Sequence, residues 1–214
     1  MVVTTPGDPA VEIARDNDCN VFQTTAFYED GAVFNKFRAL EYGLDAFGRR
    51  GWLVVMDSDV LWPKSIPQTN LEVGKLYSPL RRMFPSLPKE APPEEEWSRY
   101  PIHRNVAEWA GYSQIYSTED PALGNPPWHE TNWTTAGGPD SFFQRKWAPG
   151  EKVRPPFDVL HLGPHGTNWC GRVSSYADGT KPEMSDERNR RLHQLMYERR
   201  LRRNFSAEKI KTTE

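Results

Sequence analysis

The sequence has few cysteines and no long apolar run. Its two cysteines, Cys19 and Cys170, form no metal-binding pair and no disulfide framework, as is usual in a reducing compartment. The apolar run Trp52–Met56 is far shorter than the roughly 20 residues that a helix needs to cross a bilayer. Residues 1–9 lack the charged and apolar regions of a secretory signal. We therefore expect a soluble, cytoplasmic protein.

An excess of positive charge is also missing. The chain has 27 basic and 29 acidic residues and a formal net charge of −2 at pH 7, so we expect no nucleic-acid partner. It has no glycine-rich loop of the Walker type, which weakens a kinase or ATPase interpretation. The hydrophobic fraction of 37% is low, and aromatic residues, including eight tryptophans, supply much of it.

The beginning of the chain alternates between strand and helix patterns. Residues 2–5 and 20–25 predict strands. Between them, Pro9 fits the first position of a helix that is expected to end near Asn17.

A second helix and a third strand follow. The helix is expected from about Asn35, and the strand at Trp52–Met56 has the continuous apolar character of the middle of a parallel sheet. Three strands and two helices within about fifty residues predict an α/β fold. One buried face of the second helix is predicted to comprise Phe37, Leu40, Leu44 and Phe47.

The rest of the chain differs in composition and in its predicted secondary structure. Residues 63–103 carry many of the 19 prolines and are expected to be irregular, whereas residues 106–117 and 157–162 return to strand patterns. Residues 1–184 are therefore expected to form one domain, and residues 185–214 a basic helical tail. Such a tail could lie on an anionic membrane surface, contact a polyanionic acceptor or simply dock its apolar stripe on the domain.

The sharpest chemical signal is a pair of carboxylates, Asp57 and Asp59, directly after the apolar strand. In an open α/β sheet, ligands bind beyond the carboxyl ends of the strands. Both carboxylates can reach one divalent ion there, and Mg²⁺ or Mn²⁺ prefers oxygen ligands and leaves positions open for phosphate. Such an ion assists the departure of a nucleotide diphosphate. The D-x-D pattern is common, so its placement after the strand carries the prediction.

Further stretches occur in the same order and spacing as in one known family. They are 27–36, 51–59, 74–77 with Arg81, 110–114, 136–142, and 161–163 with Asn168, Trp169, Gly171 and Arg172. On these stretches the chain resembles, over roughly residues 2–172, the GT-A-fold nucleotide-sugar glycosyltransferases of the large family-2 type. The resemblance implies a Rossmann-like, mostly parallel mixed sheet flanked by helices, in a catalytic domain that precedes the helical tail.

The resemblance implies a metal site and a donor diphosphate beside it. Asp57 and Asp59 would hold Mn²⁺ or Mg²⁺, and Ser58 between them would contact the donor. His161 would complete the metal shell as a neutral imidazole. An ordinary core histidine is the alternative, and His165 is an alternative ligand.

Other donor contacts are implied in the first half of the chain and in a later loop. Asp8 would accept a uracil imide N–H, or it would cap the first helix. Lys36, which opens the second helix beside Asn35, would neutralise phosphate charge or be a solvated lysine. Gly137 and Gly138 would also line the donor site.

Asp140 is implied as the general base of an inverting reaction. Partial deprotonation of the acceptor hydroxyl is worth about 10² to 10⁴ in rate. The alternative is an N-cap for a helix that starts near Ser141. Trp133, Trp147 and Trp169 are candidates for stacking on the acceptor, although Trp147 fits a core position better.

The activity implied is metal-dependent transfer of a hexose, of the glucose or galactose type, from a UDP-sugar to a hydroxyl of a sugar or glycan. The alternatives are a non-catalytic nucleotide- or glycan-binding remnant of the fold and a metal-dependent nucleotidyltransferase. Relatives usually begin with one more strand and helix, so part of the base and ribose pocket is expected to be absent. The chain would then be a naturally minimal enzyme or a fragment, or its pocket would be completed by another chain, as in a homodimer. Phe37 also stands where relatives often have glycine.

Overall fold

The computed structural model describes residues 1–86, 88, 90–103, 109, 112–163 and 194. The described residues form three α-helices and nine β-strands. The helices are α1 Ala10–Asp16, α2 Lys36–Phe47 and α3 Pro139–Phe143. The strands are β1 Val2–Thr4, β2 Val21–Gln23, β3 Trp52–Met56, β4 Val60–Leu61, β5 Leu76–Tyr77, β6 Leu80–Phe84, β7 Ser113–Ser117, β8 Lys152–Val153 and β9 Asp158–Leu162.

The fold is α/β, with small sheets flanked by helices. In the described part of the chain the strands pair as β1-β2, as β3-β7-β5-β8 and as β4-β9-β6. Three of these pairings, β1-β2, β5-β8 and β6-β9, are parallel, and β3-β7, β5-β7 and β4-β9 are antiparallel. The sheets are therefore mixed, with parallel and antiparallel pairings in equal number, and the expectation of a mostly parallel sheet is wrong.

The chain divides into two units, Met1–Lys181 and Pro182–Glu214. In the second unit only Gln194 is described, and it is helical and exposed. The predicted basic tail, residues 185–214, therefore lies outside the described residues apart from this one position. Within the described residues, no helix combines the length and the apolar character needed to cross a bilayer.

The predicted β1-α1-β2 unit is confirmed. The two strands are parallel, with Val2 opposite Val21 and Thr4 opposite Gln23. Helix α1 stops at Asp16, and the following turn places Asp18 at a φ of 54°. Asp tolerates this left-handed conformation better than most residues do, so the sequence can form the turn that ends the helix.

Helix α2 joins the first sheet to the second. At Gly43 an added Cβ atom would lie 2.8 Å from Val3 Cγ2, so this position needs glycine for the helix to approach β1 closely. On the same helix Leu44 packs in the main core with Leu53 of β3. The predicted buried face holds for Phe37 and Leu44, but Phe47 at the last turn is 44% exposed, so its burial was wrongly predicted.

Strand β3 is confirmed as a strand, but its predicted place in the middle of a parallel sheet is wrong. Its described partner is β7, which runs antiparallel to it. Leu53 and Val55 face the core, whereas Trp52, Val54 and Met56 are exposed, Val54 by 49%. A strand that is apolar at every position conceals which face is buried, so the pattern alone could not show this.

The main core lies beneath α2 and α3. Trp147 is almost completely buried there, and its indole N–H donates to Asp120 Oδ2 at 2.7 Å. This confirms that Trp147 is a core residue. The other buried members of this cluster are Leu44, Leu76, Tyr116, Leu123, Trp128 and Phe143.

Residues 63–103 are less irregular than expected. They contain β5 and β6 and a short 3-10 helix, Glu94–Arg99. Short apolar stretches between the prolines reach the core, since Leu76 and Tyr77 are both buried. β6 then pairs along its whole length with β9.

A buried carboxylate–imidazole pair ties α2 to a later loop. Glu41 Oε1 lies within hydrogen-bond distance of His129 Nδ1, and Glu41 Oε2 is 2.7 Å from Arg49 Nη2. Burial lowers the pKa of His129 and outweighs the opposing effect of Glu41. Burial acts to raise the pKa of Glu41, but the hydrogen bonds that His129 donates and the charge of Arg49 lower it overall. The pair therefore contains a neutral imidazole and a carboxylate.

We expect stability to fall on acidification partly through this pair. The unfolded chain takes up a proton on His129 near the ordinary pKa of 6.5, before the folded protein does, so the free energy of unfolding declines as pH falls below about 6.5. Glu41 acts in the same direction below its ordinary pKa of 4.5. Each proton difference is worth about 1.4 kcal/mol per pH unit. Chemical denaturation between pH 7 and pH 5 should show a shallower decline in His129→Gln than in the wild type.

His103→Gln is the control for the loss of a histidine outside the main core. An equal decline in wild type and His129→Gln would contradict the assignment of a neutral buried imidazole.

Candidate functional site

The two aspartates of the D-x-D pattern lie in the turn that leads from β3 to β4. The Asp57 N–H donates to the Tyr112 carbonyl oxygen at 3.0 Å, and the Asp59 carbonyl oxygen accepts the Leu162 N–H at 2.8 Å. Strands β3 and β4 belong to different sheets, so the turn bridges them. The backbone of each aspartate is thus fixed to a different strand system.

The Lys36 ammonium contacts this turn from the start of α2. Its Nζ atom lies 2.8 Å from Asp57 Oδ1. Burial would lower the pKa of Lys36, but the carboxylates of Asp57, Asp140 and Asp59 outweigh burial and raise it. Lys36 is therefore a charged lysine that interacts with three carboxylates. Its side chain is only 18% exposed and is paired with Asp57, which disfavours the alternative of a solvated surface lysine.

The placement of Lys36 depends on the helix cap. Asn35 is fully buried, its Oδ1 accepts the Arg38 N–H at 3.0 Å, and its Nδ2 donates to the Thr131 carbonyl oxygen at 2.7 Å. Both ends of the Asn35 side chain therefore have protein partners. In this structure Asn35 positions Lys36 by starting the helix there.

His161 lies beside Asp59 on the central strand of the third sheet. Its Nε2 atom is 3.9 Å from Asp59 Oδ1, and its Nδ1 has no hydrogen-bond partner among the described residues. Burial is the largest cause of a lowered pKa for His161, and the Arg81 charge adds to it against the effect of Asp59. The imidazole is neutral near pH 7, which is the form that binds a metal ion.

Asp59 and His161 are close enough together to approach one cation. Two ligand atoms at about 2.1 Å from an octahedral ion lie about 3.0 Å apart in adjacent positions, and these two atoms are 3.9 Å apart, so the side chains would have to move closer together to bind one ion in that way. In the described part of the chain, no group of three or more His, Cys, Asp or Glu side chains is arranged to hold a metal. An ion here would therefore take its remaining ligands from phosphate and water, as Mg²⁺ often does.

Asp140 lies in the first turn of α3. The helix begins at Pro139 with Gly138 at its N-cap, so the alternative of Asp140 as an N-cap is wrong. The helix starts earlier than expected because proline fits the first helical position. Asp140 raises the pKa of Lys36 through its charge, which places its carboxylate near the D-x-D turn.

An aromatic side chain packs over the loop before α3. An added Cβ atom at Gly138 would lie 2.8 Å from the Trp133 ring, and the Gly138 φ is 116°. The Trp133 ring also contacts Phe142, with 5.3 Å between the ring centroids. Gly138 therefore supports the indole, and Gly137 beside it is exposed.

Arg81 belongs to the stretches that carry the resemblance, but the sequence did not assign it a functional role. It is buried on β6, its guanidinium lies 4.4 Å from the Tyr112 ring centroid, and it lowers the pKa of His161. The pairing of Arg81 with Val159 and of Met83 with His161 brings Arg81 to the face of the sheet that carries His161. Only the β6-β9 pairing reveals this proximity.

The other residues that the sequence analysis named lie in different surroundings. Asp8 accepts hydrogen bonds from the Thr4 hydroxyl and, at 2.8 Å, from the Ala10 N–H, which supports the helix-capping alternative. Ser58 is exposed in the D-x-D turn. Phe37 packs in the core, 4.9 Å from the His129 ring. His165 and Trp169 lie outside the described residues.

No protein-family model matches the chain, and neither the curated proteins nor the solved structures contain a match to it.

We expect Gly138→Ala to destabilise the protein by about 1–3 kcal/mol, because alanine strains the backbone at this φ and its Cβ displaces the Trp133 ring. Chemical denaturation measures the loss. Gly150→Ala is the matched control, since nothing lies within 4 Å of its added Cβ and its φ is not positive. The two variants should differ clearly, and equal stability would contradict the described packing of Trp133.

Proposed function

We propose that the chain is a metal-dependent glycosyltransferase that transfers a hexose from a UDP-sugar to an acceptor hydroxyl. The observation that supports the proposal best is the meeting of Lys36 with Asp57, Asp59 and Asp140 beside a neutral histidine. Chemistry that expels a nucleotide diphosphate needs cationic groups at the phosphate and a base at the nucleophile. The residues of this cluster offer both.

The donor diphosphate is bound at the N-terminus of α2. The Lys36 ammonium neutralises its charge there, and the helix dipole has the favourable sign. Asp59 and His161, with Asp57 beside them, are the residues that would hold Mn²⁺ or Mg²⁺. When bound, the ion stabilises the negative charge that builds up on the departing UDP.

Asp140 acts on the acceptor. Its carboxylate takes the proton of the acceptor hydroxyl as the hydroxyl oxygen bonds to the anomeric carbon and the bond between that carbon and the UDP oxygen breaks. Attack from the face opposite to UDP inverts the anomeric configuration.

Release of UDP from a UDP-sugar should require Mn²⁺ or Mg²⁺ and should be lost in Asp59→Asn. The physical reason is that the variant keeps the shape of the side chain but removes the charge that binds the ion. A coupled assay of UDP release with UDP-glucose and UDP-galactose measures it, and Glu12→Gln, an exposed carboxylate on α1, is the control. Absence of UDP release from every donor by the wild-type protein with metal would overturn the proposal.

Asp140→Asn should lower the rate of transfer about 10²- to 10⁴-fold and leave the binding of UDP with Mn²⁺ unchanged, because only the base is removed. Calorimetry measures binding and the UDP assay measures turnover. An unchanged turnover in Asp140→Asn would contradict the role of Asp140 as the base.

The same measurements separate the alternatives. Binding of UDP without turnover in the wild type indicates a binding remnant of the fold, and pyrophosphate release from nucleoside triphosphates indicates a nucleotidyltransferase. Membrane contact through residues 185–214 and assembly as a homodimer stay predictions.

A further inference from the structure

A cavity of about 520 Å³ lies between a loop and the helix that carries Asp140. We call it the α3 groove, and its lining consists of residues 127–132, Phe142, Phe143, Arg145 and Lys146. The volume falls in the range of roughly 300–1,000 Å³ that is typical of small-molecule sites. The groove is open to solvent on one side, so an occupant can extend beyond it.

An aromatic surface borders the groove. Phe142 is 49% exposed, and its ring contacts the half-buried Trp133. The Arg145 guanidinium lies 4.5 Å from the Phe142 ring centroid. An exposed aromatic ring that is flanked by a cation and a second ring suits a ligand with one apolar face and polar edges.

Polar residues also line the groove. His129 is one of them, but its imidazole is fully buried, is held by Glu41 and stacks on Phe143, so it forms part of the groove wall and offers no hydrogen bond to an occupant. Asn132 and Glu130 add exposed donors and acceptors at the rim.

The α3 groove and the proposed donor site are connected through helix α3 and through Trp133. Asp140 lies in the same helix as Phe142 and Phe143. Trp133 contacts Phe142 on one side and covers Gly138, two residues before Asp140, on the other. The loop of the groove is also joined to the Lys36 helix, because Asn35 Nδ2 donates to the Thr131 carbonyl oxygen.

We infer that the α3 groove is a saccharide-binding subsite that holds the acceptor, with the apolar face of a pyranose ring against Phe142 and its hydroxyl groups toward the polar lining. This inference rests on the proposed function for the assignment of the saccharide as acceptor. Alternating C–H faces and hydroxyl edges match the alternation of aromatic and polar groups in the groove. The open side admits an oligosaccharide rather than one sugar only.

The test is a titration of the full chain with maltotriose and cellotriose, with saturation-transfer NMR and tryptophan fluorescence as readouts. We expect one of the two sugars to bind the wild type, and we expect Phe142→Ala to weaken this binding about tenfold through the loss of stacking. Ile13→Ala is the matched control, since Ile13 is 65% exposed on α1 and lies outside the groove. Its affinity should equal that of the wild type.

Binding of UDP with Mn²⁺ is measured in parallel on every variant. If the sugar binds through Phe142 but UDP does not bind, the subsite stands and the proposed function fails. If UDP binds and neither sugar binds the wild type more tightly than glycerol does, the subsite inference is overturned and the proposed function stands. Equal sugar binding by Phe142→Ala and the wild type also overturns the subsite inference. Arg145→Gln is a second variant of the groove, which is measured in case Phe142→Ala misfolds.

Discussion

The site is organised around one charged contact, the ion pair between Lys36 and Asp57. The ammonium lies 2.8 Å from one carboxylate and interacts with those of Asp59 and Asp140. Three carboxylates brought together without a cation would repel one another. The lysine charge offsets this repulsion and therefore permits a concentration of negative charge that would otherwise destabilise this end of the molecule.

The position of Lys36 is in turn secured by uncharged hydrogen bonds. Asn35 caps α2 and reaches the Thr131 carbonyl oxygen, so the helix start and the loop before α3 are joined through one amide. The buried pair of Glu41 and His129 repeats this connection about 1.7 helical turns farther along the chain. Two separate links thus hold the helix that carries the ammonium against the loop that leads to Asp140.

Local patterns predicted the elements that carry the site, and long-range pairing decided the rest. The helix at Lys36 follows from its periodic apolar residues and its asparagine cap, and the D-x-D turn follows from the apolar strand before it. The antiparallel partner of β3 could not be predicted, because Trp52–Met56 is apolar on both faces. Arg82 and Asp158, which are 76 residues apart, form an ion pair across β6 and β9, and Glu41 and His129 are 88 residues apart. Contacts over such separations leave no trace in local periodicity.

The D-x-D turn also connects the sheet that contains β3 with the sheet that contains β4. The backbone of Asp57 is tied to Tyr112, just before β7, and the backbone of Asp59 is tied to β9. The backbones of the two aspartates are thus bonded to two different sheets, with only one residue between them. A shift of one sheet against the other would change the distance between the two carboxylates, so the spacing of the proposed cation ligands depends on the relative position of the two sheets.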